Sequence, residues 1–134
     1  MPGELIDASA AVLRDDVPRW CEGNAPPFFG VAPTVSAGMT DWGVRQIIST
    51  PVKVLCDTMR LGATTDFRPE LAALEKPTMI LHGDADASTP LDLTGRPTAA
   101  LVAASQLNVY EGAGHGVFAT HHRRIADDIL RFMG

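Results

Sequence analysis

The sequence predicts an α/β protein in two parts: a helical cap or lid over residues 1–76, then a strand–helix–strand–helix unit over residues 77–134. Three observations carry this. The first 76 residues place apolar side chains at three- and four-residue spacings and contain no convincing strand. After Pro77, the run Thr78-Met79-Ile80-Leu81-His82 is short, apolar and closed by Gly83, as a buried parallel strand would be. A second such run, Gln106-Leu107-Asn108-Val109-Tyr110, follows one helix-length segment later.

Within the first part, Leu5, Ile6, Ala10, Val12, Leu13, Val17 and Trp20 outline an amphipathic helix from Glu4 to about Cys21, which Pro18 kinks or ends. Asn24-Ala25-Pro26-Pro27 reads as a breaker and Phe28-Phe29-Gly30 as an apolar loop. Ser36 is placed to N-cap a helix running to about Ser49, with Met39, Trp42, Val44, Ile47 and Ile48 as its apolar residues. Pro51 suits the first turn of a further helix that buries Val54, Leu55, Met59 and Leu61 and stops at Gly62. A short helical turn around Pro69 to Leu74 leads to Lys76-Pro77. In the second part, helices are expected from about Pro97 to Ala104 and from Thr120 to Met133, the latter with Ile125, Ile129, Leu130 and Phe132 mostly on one side.

Composition excludes several classes. A formal net charge of −5 and scattered arginines give no basic face for phosphate, so no nucleic-acid partner is expected. Cys21 and Cys56 lack C-x-x-C spacing and read as reduced thiols, and the histidines show no H-x-x-x-H spacing, so neither a metal nor a cofactor is expected. The N-terminus has no basic stretch followed by an apolar run, and no segment approaches the roughly 18 apolar residues of a membrane span. A cytoplasmic protein without membrane contact is the expectation.

A strand, crossover helix and second strand of these lengths form a right-handed parallel unit, which puts both strand C-termini on one edge of the sheet, where open α/β folds place their sites. The loops leaving that edge are His82-Gly83-Asp84-Ala85-Asp86-Ala87-Ser88-Thr89-Pro90 and Gly112-Ala113-Gly114-His115-Gly116. Neighbouring strands lie about 4.8 Å apart, so a carboxylate from one loop can reach the imidazole of the other. The glycines around His115 let the backbone turn tightly and keep neighbouring side chains off the ring. Asp84 is expected to order its turn through backbone N–H groups, and His82, His121 and His122 to pack or face solvent. Phe28, Phe29, Met39, Trp42 and Phe67 read as core.

The stretch Leu81–Phe132 resembles the C-terminal part of α/β-hydrolases, in particular the cofactor-free haloperoxidase or aryl-esterase (perhydrolase) type. In that family the second aspartate of H-G-D-x-D-x-x-x-P is the triad acid, which falls on Asp86, and the histidine of the H-G segment falls on His115, 29 residues later. His115-Gly116-Val117-Phe118-Ala119-Thr120-His121 extends the likeness, as do Phe28-Phe29-Gly30, Met39-Thr40-Asp41-Trp42-Gly43 and Thr65-Asp66-Phe67-Arg68-Pro69-Glu70-Leu71 in the cap. The resemblance implies ester hydrolysis or perhydrolysis of a small ester or acyl substrate through an acyl-enzyme.

No G-x-S-x-G elbow for the nucleophile occurs in the sequence. Of the five serines Ser36 comes closest, in Thr34-Val35-Ser36-Ala37-Gly38, with Thr34 at the first glycine position; Ser9, Ser49, Ser88 and Ser105 do not fit. The expectation is therefore the C-terminal half of a truncated or split serine hydrolase, with no nucleophile in this chain and no activity alone. Its first strand should expose an unpaired edge, favouring self-association, aggregation or a complementing N-terminal chain. The alternative is a non-catalytic remnant serving as a binding or oligomerisation module.

Overall fold

The computed structural model describes residues 3–30 and 35–134; Met1, Pro2 and residues 31–34, including Thr34 of the Ser36 pentapeptide, lie outside them. The chain forms two compact units, Met1–Pro26 with Ser36–Asp66 and Pro27–Val35 with Phe67–Gly134.

In the first unit, α1 (Gly3–Asp15) buries Ile6, Ala10 and Leu13, an i, i+4, i+7 stripe. Leu5 and Val12, on the far side, stay exposed. The expected single helix divides at Asp16, whose carboxylate accepts the Arg19 N–H at 3.0 Å and so caps α2 (Val17–Phe29), with Pro18 in the first turn. The break expected at Asn24–Pro27 does not occur. Pro26 and Pro27 leave the carbonyls of residues 22 and 23 without helical donors, but Glu22 and Gly23 are exposed to water. Asn24 Nδ2 also donates to the Trp20 carbonyl at 2.7 Å.

Helix α3 (Ala37–Ile48) begins as expected, with Ser36 Oγ accepting the Met39 N–H at 3.2 Å; it buries no residue, and Trp42 and Ile48 are exposed. Helix α4 (Val52–Thr64) has Pro51 at its N-cap and passes through Gly62, which does not adopt the positive φ of a helix-ending glycine. Its inward stripe is Val52, Cys56 and Met59, packed with Leu55, Val17 and Trp20 around Ala10 and Leu13. Val54 and Leu61, expected inside, lie about half a turn away from that stripe and are 51% and 62% exposed. Cys21 and Cys56 are both free and buried, and burial raises the Cys21 thiol above its ordinary value.

In the second unit, α5 (Arg68–Ala72) precedes β1 (Thr78–Gly83), the crossover helix α6 (Gly95–Leu101) and β2 (Ser105–Tyr110). The strands pair in parallel, from Thr78 opposite Ser105 to Gly83 opposite Tyr110. The crossover helix ends earlier than expected, at a buried Val102 whose N–H closes the last turn on the Thr98 carbonyl. Beyond β2, a short helix α7 (Val117–Thr120), which was not expected, precedes the closing helix α8 (His122–Met133), which begins two residues later than expected. Among the described residues the sheet has these two strands only, so β1 is paired on one side. No helix among the described residues is long and apolar enough to cross a membrane.

Helix α8 carries exposed Ile129, Leu130 and Phe132, and its tie to the sheet is polar. Tyr110, fully buried at the end of β2, donates its hydroxyl to Asp128 Oδ2 at 2.6 Å, and Arg131 reaches Asp128 Oδ1 at 2.6 Å. Arg124 stacks over the Tyr110 ring at 4.4 Å and donates to the Val109 carbonyl. Burial first, then the bond to Asp128 and its charge, push the Tyr110 hydroxyl up to about 12.

A Tyr110→Phe variant should therefore lose about 1.5–3 kcal/mol in chemical denaturation, the value of a hydrogen bond to a charged acceptor. Because the folded value is raised, this contribution is intact below the ordinary phenol range and lost as pH climbs toward about 12. Wild type and variant should accordingly converge in stability across that alkaline window.

Candidate active site

The site is built by joining the two loops that leave the sheet at Gly83 and Tyr110. Gly83 lets the second loop approach closely: a Cβ there would fall 2.1 Å from the Ala113 carbonyl oxygen. Ala85 N–H donates to that same oxygen at 3.0 Å, and Asp84 N–H to the Tyr110 carbonyl at 3.1 Å. Asp84 has the structural duty expected of it, but across the loops, its Oδ1 accepting the Gly112 N–H at 2.7 Å.

These contacts deliver Asp86 and His115 to each other. Asp86 is only 6% exposed, and both its oxygens are occupied. Oδ1 accepts the N–H groups of Ser88 and Thr89, each at 2.8 Å. Oδ2 accepts the Thr89 hydroxyl at 2.9 Å and His115 Nδ1 at 2.8 Å, with His82 Nε2 3.5 Å away. Burial alone would raise this carboxyl. The Thr89 N–H, the His115 ring and the Thr89 hydroxyl, with the charge at His115, outweigh it and hold Asp86 below the ordinary carboxylate range.

An ionised carboxylate only accepts, so the 2.8 Å contact puts a proton on His115 Nδ1 and leaves the lone pair of the neutral ring on Nε2. The His115 side chain is 43% exposed and lines a cleft of about 280 Å³ with Ile80, Leu81, Thr94, Thr98 and Val117. Such a ring can take a proton at Nε2 while Asp86 stabilises the resulting imidazolium.

Of the glycine frame, Gly112 takes φ +70° as a tight turn needs, whereas Gly114 and Gly116 work differently from the expectation. Gly114 sits against Gly30, where a Cβ would meet the Gly30 nitrogen at 2.4 Å; Gly30 has φ +84° and bridges to Ala113. Gly116 does not keep side chains away but makes room for them: its Cβ would strike the Phe28 and Phe29 rings at 2.8 Å, and its N–H donates to the Phe28 carbonyl. Phe28 lies edge-on to His115, centroids 5.3 Å apart, so the Phe28-Phe29-Gly30 segment flanks the ring.

Sequence reasoning missed Thr89 and the part played by His82. His82, expected to pack, supports the acid loop: Nε2 donates to the Thr89 carbonyl at 2.9 Å while its ring lies against Gly95. A threonine three residues after an aspartate is a local turn signal, and it was available in Asp86-Ala87-Ser88-Thr89. His121 and His122 serve locally, bonded to Thr120 and to the Ala119 carbonyl.

Four of the serines have evident structural duties or partners. Ser36 caps α3, Ser9 accepts from Trp20 Nε1 at 2.9 Å, Ser49 donates to the Gln46 carbonyl at 2.9 Å, and Ser105 to the Ala99 carbonyl at 2.8 Å. No group of three His, Cys, Asp or Glu side chains among the described residues is placed to hold a metal ion.

A family model of α/β-hydrolases, described as TAP-like protein, matches residues 43–133. The chain is 43% identical over 140 residues to the non-heme chloroperoxidase CPO-A1 of Kitasatospora aureofaciens, across 99% of this chain and 50% of that protein. It is 32% identical over 113 residues to the bifunctional esterase/perhydrolase DCH of Acinetobacter calcoaceticus, across 81% of this chain and 41% of that one. The crystal structure of bromoperoxidase from Bacillus anthracis shares the fold, with TM-score 0.92 at 24% identity over 99% of this chain and 49% of its own. The chain thus spans about half the length of the curated relatives it matches.

Two measurements check the geometry. Gly114→Ala should lose about 1–3 kcal/mol in thermal or denaturant unfolding, because the new methyl meets backbone rather than a yielding side chain. Asp86→Asn should be less stable than wild type at neutral pH. Because the folded carboxyl is depressed, its contribution is present above the ordinary carboxylate range and lost as pH falls through the folded value, so the difference should shrink in acid.

Proposed function

Since the chain belongs to the α/β-hydrolase family, we propose that it contributes the acid and the base of a serine-hydrolase triad, Asp86 and His115, to a site whose nucleophile comes from residues outside this sequence. The observation that carries this reading is the 2.8 Å bond from His115 Nδ1 to a buried, ionised Asp86, which leaves Nε2 basic in a half-exposed ring.

In the completed site, Nε2 takes the proton of a serine hydroxyl as its oxygen attacks the carbonyl of a small carboxylic ester. Asp86 stabilises the imidazolium, which then gives the proton to the departing alcohol. Water, or hydrogen peroxide, attacks the acyl-enzyme with His115 again as base, which yields hydrolysis or perhydrolysis. The relatives support this substrate class through the esterase/perhydrolase among them. The edge of β1 left unpaired among the described residues, a strand that lines the cleft beside His115, is where a complementing strand would pair.

Alone, the chain is expected to be inactive on esters, because no G-x-S-x-G segment is in its sequence, and in this family one oxyanion-hole N–H follows that nucleophile while the other comes from an earlier loop. The test is fluorophosphonate labelling and aryl-ester turnover by the chain alone and after co-expression with the N-terminal half of the Kitasatospora relative. Neither activity is expected from the chain alone. Both should appear on complementation, and His115→Ala should then lower turnover on the order of 10⁴- to 10⁶-fold. Labelling of the unaided chain, or turnover in the complemented protein that survives His115→Ala, would overturn the proposal.

A further inference from the structure

Three atoms at the site form a closed triangle: Asp86 Oδ2 is 2.8 Å from His115 Nδ1 and 2.9 Å from Thr89 Oγ1, and Thr89 Oγ1 is 3.1 Å from His115 Nδ1. We infer that Thr89 is a positioning residue whose hydroxyl acts with Asp86 to select the ring tautomer of His115, holding the proton on Nδ1 and the free lone pair on Nε2. This rests on the reading of His115 as the general base.

The hydrogen of the Thr89 hydroxyl has two acceptors within reach, the Asp86 carboxylate and a bare His115 Nδ1. The carboxylate is charged and the stronger acceptor, so the hydrogen goes to Oδ2. The hydroxyl oxygen then turns its lone pairs toward Nδ1, as Oδ2 already does. A bare Nδ1 would face two lone-pair donors and no hydrogen, whereas an Nδ1–H bonds to both. With the ring itself 43% exposed, these two acceptors supply the discrimination.

The hydroxyl is held where this requires it. Thr89 N–H is fixed on Asp86 Oδ1 at 2.8 Å, and the Thr89 carbonyl accepts from His82 Nε2 at 2.9 Å and Thr94 Oγ1 at 3.1 Å. Pro90 behind it favours extended backbone at Thr89, and a β-branched side chain has few χ1 choices. His82 and His115 are the titratable groups facing Asp86. The same hydroxyl bond is one of the contacts that keep the Asp86 carboxyl low.

The test needs neither an ester nor a nucleophile, so its outcome is separate from that of the complementation assay. The full chain, with ¹⁵N-labelled histidine and ¹³C-labelled aspartate, is prepared as wild type, Thr89→Val, Thr89→Ala and Thr89→Ser. The His115 ring-nitrogen shifts give the tautomer ratio, and the Asp86 carboxyl shift gives its titration. In the wild type and in Thr89→Ser the Nδ1–H form should dominate. In Thr89→Val the ratio of Nδ1–H to Nε2–H should fall about fivefold or more, the loss of one hydrogen bond, and the Asp86 titration should move upward. Thr89→Ala, which inserts no methyl in place of the hydroxyl, should match Thr89→Val and stands in for it if that variant does not fold. An unchanged tautomer ratio in a folded Thr89→Val or Thr89→Ala, or a Thr89→Ser variant that fails to restore it, would overturn the inference.

Discussion

A carboxylate that is 6% exposed must be surrounded by donors, and the second unit is organised around meeting that demand at Asp86. Four groups supply it: two backbone N–H groups, the Thr89 hydroxyl and the His115 ring. Three of the four come from the turn Ser88–Thr89, so the acid carries its own cradle and needs the second loop only for the imidazole. That division of labour explains how the carboxyl stays ionised despite its burial and why the imidazole can remain half exposed and chemically available.

Bringing the imidazole to the acid depends on backbone approaching backbone. Gly83 against Ala113 and Gly30 against Gly114 are contacts that a single methyl would forbid, and Asp84 adds a carboxylate bond to the Gly112 N–H. Register does the rest. Gly83 opposite Tyr110 ends both strands together, so the two loops leave the same edge at the same height. Behind them Tyr110 and Asp128 secure α8 to the sheet through a short bond in place of an extensive apolar seam.

The first unit rests on a different principle. Ala10 and Cys56 are small, and Cys56 Sγ lies 3.9 Å from the Ala10 carbonyl, so α1 and α4 approach closely while Leu13, Leu55 and Met59 fill the flanks. Much apolar surface stays outside that seam, on α3 and α4 and, in the second unit, on α8. With one edge of β1 unpaired among the described residues, these present both apolar side chains and backbone groups of the sort that elements of a larger α/β fold would cover.

The sequence by itself determined the two strands and their parallel pairing, the crossover and closing helices and the Ser36 cap, while the family resemblance pointed to Asp86 and His115, which the structure brings together. Short apolar runs, turn glycines and a capping hydroxyl act within a few residues of themselves, and the loops follow from where the strands end. Helix interiors were less legible. The helix through Asn24–Pro27 survives because its unpaired carbonyls face water, and Val54 and Leu61 face outward because Cys56, not they, meets α1. Only the tertiary structure decided that Phe28 flanks His115, that Gly116 exists to admit two phenyl rings, and that Thr89 and His82 brace the acid. These are contacts between residues distant in the chain or choices among several local partners, and such choices are settled by packing and by the need to satisfy a buried charge.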